Sequence, residues 1–181
     1  MLRCPDTLDG VQPGDRIDAD GDIANGCECT LRSFVDEPGP VFATGDALDV
    51  NCDGADGIVT ESVYVSVTGD DVAPGSPTRP VRTLARAMAI AETSLATGRP
   101  RRRIFVASGS YAETLELADG VEVYGGYRAD YLSLDPDGFR VEVRAAEDAG
   151  PSGAALRIDG AGRAPSGLRW MTFLGRDSSV G

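Results

Sequence analysis

The stretch "SVYVSVTG" alternates Val63, Val65 and Val67 against Tyr64 and Ser66, the two-residue period of a β-strand. The Pro- and Gly-broken "DDVAPGSPTRP" that follows reads as a loop. The period then lengthens. Leu84, Met88, Ala91 and Leu95 fall on one face, with Ala87 beside them and Arg86, Thr93 and Thr97 opposite. This predicts an amphipathic helix over 83–97, with Thr83 as N-cap and Gly98 and Pro100 as its end. Beyond it, "RIFVAS", "ETLELADG", "VEVYGGY", "RVEVRAAE", "AALRIDGAG" and "GLRWMTFLG" predict short strands between turns. Their apolar–polar–apolar triplets are Leu115-Glu116-Leu117, Val121-Glu122-Val123, Val141-Glu142-Val143 and Leu156-Arg157-Ile158. Near-regular strands of this kind suit a coil of stacked rungs with a dry interior, each intervening Glu or Arg facing water. A sandwich or Greek-key barrel uses similar strands, and spacing alone does not separate the two.

Charge divides the chain near Glu61. The segment 1–61 holds 14 of the 29 acidic residues and 3 of the 17 basic ones, whereas 62–181 is nearly balanced. Two regions are therefore expected, an acidic Cys-rich segment over 1–61 and a strand-rich body over 62–181. The acidic segment should attract cations and repel nucleic acid phosphates. The basic run Arg99, Arg101, Arg102 and Arg103 reads as a solvated turn, since a phosphate groove needs charge spread over a face. No apolar run reaches the roughly 20 residues of a membrane span. The sequence contains no His, which excludes a Ser-His-Asp triad, a Cys-His dyad and His-ligated zinc within this chain.

All four cysteines, Cys4, Cys27, Cys29 and Cys52, lie in the acidic segment. A Cys27–Cys29 bond would close a strained ring. Two disulfides are expected, one using Cys4 and one using Cys52, with the partners open among three pairings. A four-thiolate zinc site is the rival reading, but the paired C-x-x-C knuckles are missing. Disulfides imply export and would brace a segment too small and charged to build its own core. "MLRCPD" lacks the apolar stretch of a signal peptide, so any export signal is expected to be missing from this sequence.

The candidate chemistry is metal binding. Calcium takes six to eight oxygens, several from carboxylates at alternate positions of a tight loop. Asp49, Asn51, Asp53 and Gly54 match the D-x-[DN]-x-[DN]-G opening of such a loop, and Ala55 could add a carbonyl. Its end is irregular. Thr60 occupies the closing position, Glu61 lies one step beyond, and Asp56 is an inserted substitute. A second loop alternates Asp18, Asp20 and Asp22, with Ile23 where Gly is wanted and Glu28 one position short of closure. The competing reading is that both are simple turns, because Asp, Asn and Gly cap their own backbones. Cys52 within one loop and Cys27 beside the other favour metal, since disulfides lower the entropy lost on binding.

"DVNCDGADG" resembles the aspartate-rich calcium loops of dockerin and thrombospondin type 3 repeats. It is closer still to metal-binding Cys-Asp-Gly motifs of bacterial outer-surface proteins. That resemblance implies calcium ligands at Asp49, Asn51 and Asp53. The body resembles the opening of pectin-lyase-like right-handed parallel β-helix proteins. The matching elements are Tyr64 to Ser66, the loop Gly69 to Gly75, Pro80 to Leu84, Ile104 to Glu113 and Gly125 to Tyr127. This implies a mainly β fold, the start of a right-handed parallel β-helix, with a capping helix that plugs the N-terminal end of the core and shields the first edge strand. The sequence closes on "LGRDSSVG" without an evident cap. A longer protein, or end-to-end pairing of the last rung with another molecule, is expected.

Enzymes of that family use carboxylate clusters on middle rungs. Here Glu116, Glu122, Glu142, Arg144 and Arg157 read as an ordinary charged sheet surface, and neither an Asp-Asp cluster nor a Gly-His-Gly motif is present. The expected function is that of a noncatalytic, secreted or cell-surface calcium-binding protein that binds glycan or protein. The alternative is the N-terminal part of a β-helical polysaccharide lyase or glycoside hydrolase.

Overall fold

The computed structural model describes residues 5, 9–19, 22, 24–38, 49–98, 100–147, 153–158 and 164–175. It is mainly sheet, with one α-helix among the described residues. In the acidic segment, β1 (Arg16–Ile17) and β2 (Cys29–Thr30) pair antiparallel. The body contains β3 (Ser62–Val65), α1 (Leu84–Ala96), β4 (Arg103–Ala107), β5 (Gly109–Ala112), β6 (Leu115–Leu117) and β7 (Glu122–Tyr127). It continues with β8 (Val141–Arg144), β9 (Leu156–Ile158), β10 (Gly167–Arg169) and β11 (Thr172–Leu174).

Every strand pair from β3 to β11 is parallel. The strands form three sheets, ordered β10-β7-β4-β3, β11-β8-β5 and β6-β9. From β4 the chain visits these sheets in rotation: β4, β5, β6, then β7, β8, β9, then β10 and β11. The antiparallel pairings of a Greek-key sandwich are not what these strands form. Nor is the interval as regular as the triplets suggest. Ile104 pairs with Val123 and Val123 with Leu168, so equivalent positions recur after 19 and then 45 residues.

The triplets bury as their pattern requires through β8. Leu115, Leu117, Val121, Val123, Val141 and Val143 join Val63, Val65, Ile104 and Val106 in one core fed by all three sheets and by α1. The last triplet departs from expectation, with Leu156 half-buried and Ile158 67% exposed. Among the described residues its strand β9 pairs only with β6. Val67 also departs. It lies past the end of β3 and is 41% exposed rather than inside with Val63 and Val65.

The polar half of the β3 alternation is buried as well. Tyr64 belongs to a second core on the other side of the four-stranded sheet, with Ala55, Phe105, Ala107, Tyr124, Tyr127 and Tyr131. In-register parallel pairing places Tyr64, Phe105 and Tyr124 side by side. Their rings stack at 5.3 and 5.6 Å between centroids, and Trp170 lies 6.2 Å beyond Tyr124. Such contacts add about 0.5–1.5 kcal/mol per pair to the burial of the rings themselves.

Helix α1 presents Leu84, Ala87, Met88 and Ala91 to the main core and packs on β3, β4 and β6. Thr83 Oγ1 accepts from Arg86 N at 3.1 Å, the expected N-cap. Two distant carboxylates complete the capping. Glu113 accepts from Leu84 N and Ala85 N, both at 2.9 Å, and Asp71 accepts from Arg82 N, Thr83 N and Thr83 Oγ1. At the other end Gly98 takes a φ of +74°, the left-handed turn that stops a helix. The outer edge of β3 gets its hydrogen-bond partners from the loop before the helix. Tyr64 N donates to Gly75 O, Ser66 N to Val81 O, and Val81 N to Tyr64 O.

The basic run is only partly the solvated turn expected. Arg102 is exposed, but Arg101 donates to Ser62 O, Pro74 O and Gly75 O at 2.8–2.9 Å. Arg103 donates to Asp36 O and forms a 2.6 Å ion pair with Glu37, joining the acidic segment to β4. Arg99 lies outside the described residues. On the sheet surface, Glu142 pairs with Arg144 and Glu116 with Arg157 at 2.8 and 3.4 Å. Exposed pairs like these contribute at most about 1 kcal/mol each. Glu122 accepts from the Tyr124 hydroxyl.

No helix among the described residues is long and apolar enough to cross a membrane.

Candidate metal site

Among the described residues of the acidic segment, Ile17, Leu31 and Cys52 form a small core, against which Val11, Ala19 and Cys29 pack. A disulfide joins Cys29 to Cys52 with their Cα atoms 5.8 Å apart, so Cys52 does form one of the expected bonds. Cys27 is disulfide-bonded too, and Cys4 lies outside the described residues. Arg32 N and Ser33 N donate to Val50 O, which sets the start of the Asp49 loop beside β2.

That loop is wound around its first carboxylate. Asp49 Oδ1 accepts from Asp53 N at 3.1 Å and Asp49 Oδ2 from Gly54 N at 2.9 Å. Gly54 is at φ +102°, which favours glycine and lets the chain turn back on Asp49. Cys52, at φ +56°, is held in the left-handed region between the two ligand candidates Asn51 and Asp53. Asn51 Nδ2 donates to Asp53 Oδ2 and to Gly57 O, and Asp53 Oδ2 also accepts from Val59 N at 2.8 Å. Gly57 lies flat on the aromatic core, where a Cβ would come within 2.6 Å of Phe105 Cζ.

Asp49, Asn51 and Asp56 are buried, and so is Asp36, which is 2% exposed. Burial pushes the Asp49 carboxyl above its ordinary range, and the Glu28 charge adds to the rise. Asp53 is pushed up to about 6 by burial and the Asp49 charge, against the Val59 N–H. Asp36 rises to about 8, first through burial and then through the charge of Asp56, with Asp49 and Asp53 adding to it. Val50 N opposes this, donating to Asp36 Oδ2 at 3.3 Å. Asp36 is the residue that sequence reasoning missed. Nothing in its spacing marks it, since it stands 13 positions before Asp49 and outside both loop patterns.

The remaining candidates separate. Asp56 turns toward the aromatic core, where Tyr127 donates to its Oδ2 and Tyr64 donates to its backbone oxygen. Burial and the Asp56 charge raise the Tyr127 hydroxyl well above its ordinary range. Glu61 is exposed at the end of a short 3-10 turn, Val59–Glu61. In the second loop Asp18 is buried, and Asp22 is exposed and accepts from Ala24 N in a turn. Asp20 lies outside the described residues. Glu28 accepts from Ala19 N at 2.6 Å.

Glu28, Asp49 and Asp53 line one cleft of about 610 Å³, with Arg32, Thr78 and Leu132 among its other walls. Among the described residues, no three His, Cys, Asp or Glu side chains already converge as a metal cage. The donor set still suits a hard cation: carboxylate and amide oxygens only, with Asp53 Oδ1 buried and accepting no well-formed hydrogen bond among the described residues. Comparison with protein-family models, with curated proteins and with solved structures returned no match to this chain.

Proposed function

We propose that this chain is a noncatalytic, calcium-binding protein of the cell surface or exterior, carried on the first rungs of a right-handed parallel β-helix. The observation that carries the calcium reading is Asp53 Oδ1, a buried carboxylate oxygen that accepts no well-formed hydrogen bond among the described residues, the Ala55 N–H acting on this carboxyl only at poorer geometry, in a loop wrapped around Asp49. An unsatisfied buried acceptor costs about 1–3 kcal/mol, more when charged, and a bound cation removes that cost. Asp49, Asn51 and Asp53 would hold the ion, with the Ala55 carbonyl. The ion's chemistry here is charge neutralisation of carboxylates that burial otherwise drives toward protonation.

The scaffold reading is supported by the three parallel sheets visited in rotation and by side chains from all three meeting in one core. Parallel crossovers within one sheet are right-handed in about 98% of cases, which favours the right-handed reading. Helix α1 packs on β3, β4 and β6 as a plug for that core would. The disulfide supports an oxidising compartment. The cleft beside the Asp49 loop, with carboxylates, Arg32 and the hydroxyl of Thr78 on its walls, is the surface where a glycan or protein partner would sit.

Calorimetric titration of the chelator-treated chain with calcium chloride tests the metal reading. Heat of binding and a rise in melting temperature are expected. A chain that releases no heat and melts at the same temperature with and without calcium is not the protein proposed here.

A further inference from the structure

The chain contains two asparagines, Asn25 and Asn51, and the structure gives them opposite surroundings. Asn25 precedes Gly26 in the connection between β1 and β2. It is exposed at a turn, where its backbone N donates to Asp22 O at 3.2 Å. Gly26 takes a φ of +85°, and a Cβ there would meet nothing within 4 Å beyond its chain neighbours. The Gly26 amide donates to no other described residue. With no side chain to obstruct it, this nitrogen can approach the Asn25 side chain. Asn51 is only 3% exposed. Its Nδ2 donates to Asp53 Oδ2 and Gly57 O, and its Oδ1 accepts from Asp53 N at 3.2 Å. The amide that follows it, Cys52 N, is turned onto the Asp49 carboxylate, and the Cys52 side chain is fixed by its bond to Cys29.

We propose that Asn25 is a site of spontaneous deamidation, while Asn51 is held intact by its hydrogen bonds. Gly26 N gives up its proton to base and attacks Asn25 Cγ. The bond from Cγ to Nδ2 breaks, and that nitrogen leaves as ammonia, taking a proton back from solvent. The product is a five-membered succinimide in which Cγ is joined to Gly26 N. Water then adds at either of the ring's two carbonyl carbons. Opening at Cγ leaves aspartate at position 25, and opening at the backbone carbonyl leaves isoaspartate, with the chain running through Cγ. The sum is amide plus water giving carboxylic acid plus ammonia, with no oxidant or reductant. Each event adds a negative charge to a connection that already holds Asp22 and Glu28. The isoaspartate form also lengthens the backbone between β1 and β2 by a carbon.

The test incubates the full, disulfide-intact chain in mildly alkaline buffer, then reduces, alkylates and digests it at arginine. Cleavage after Arg16 and Arg32 puts the two asparagines on different peptides. The Asn25 peptide should gain the mass of an amide replaced by a carboxyl and split into two chromatographic forms of equal mass. Asn25 should convert at least about tenfold faster than Asn51, whose side chain must first break its hydrogen bonds by local opening. Asn25→Gln, which would have to close a larger ring, should show no conversion at position 25 over the same interval. That interval is set by the chain unfolded in urea, in which Asn25 converts. An Asn25 peptide of unchanged mass in the folded chain overturns the proposal. So does conversion of Asn51 as fast as Asn25. A single product at position 25 overturns it as well, because direct hydrolysis without the ring leaves aspartate alone.

Discussion

Tyr127 donates its hydroxyl to Asp56 Oδ2 across 71 positions of sequence, and the two groups are buried together between the acidic segment and the four-stranded sheet. Tyr64 donates to the backbone oxygen of the same aspartate, and Asp56 N donates to Tyr131 O. Asp56 is thus an anchor that fastens the acidic segment to the body. Replacing Tyr127 by Phe keeps the buried ring and removes the donor. The chain should lose about 1–3 kcal/mol in urea unfolding, because the carboxylate is left short of a partner. An unchanged unfolding midpoint and slope would show that the anchor contributes nothing.

Stability of the metal-free chain should fall as pH rises. Asp36 and Asp53 are shifted from an ordinary value of 3.8 to about 8 and about 6. Both folded values lie above the unfolded ones, so between them the folded chain holds the extra protons. Their contribution is fully present below pH about 4 and is lost through pH about 6 and then about 8. In chelator, the melting temperature should therefore be lower near pH 8.5 than near pH 5. A melting temperature that instead climbs over that range would mean that these carboxyls titrate normally.

The Cys29–Cys52 bond closes a loop of 23 residues. Chain entropy assigns roughly 3 kcal/mol to a bond of that span. Substituting both cysteines by Ser should open the acidic segment first, because among its described residues the core is Ile17, Leu31 and Cys52 with few neighbours. Limited proteolysis should then cut between positions 29 and 52 while the strand-rich body survives. Equal resistance of the variant and the parent in that interval would contradict this.

Glu113 caps a helix that begins 29 positions before it, through Leu84 N and Ala85 N. Glu113→Ala should cost about 1–2 kcal/mol by thermal or urea unfolding, the range of a lost cap. Glu92→Ala, further along α1, is the comparison and should stay within about 0.5 kcal/mol of the parent. Equal losses from both would mean that the Glu113 contact is incidental.

The elements that local pattern encodes were legible in advance. The helix runs Leu84–Ala96 behind a Thr83 cap, because its 3.6-residue stripe and its capping residue are both short-range signals. Leu115 to Leu117 and Val141 to Val143 bury and expose in alternation, because a strand's side chains must do so. The winding of Asp49 to Gly54 followed from Asp, Asn and Gly at fixed spacing, which bond their own backbone. What each element meets was decided elsewhere.

The sequence by itself determined where the chain forms strands, where it forms a helix, and that it would gather carboxylates ahead of residue 62. Only the tertiary structure decided that Tyr64 faces a second core, that Asp36 accepts from Val50 N beside the Asp49 loop, that Asp56 turns from it to Tyr127, and that Glu28 lines the same cleft as Asp49. The physical reason is that hydrogen bonds within a few residues depend on local spacing alone. The neighbours of a buried carboxylate depend instead on which distant segments the parallel ladders and the disulfide bring within a few ångströms.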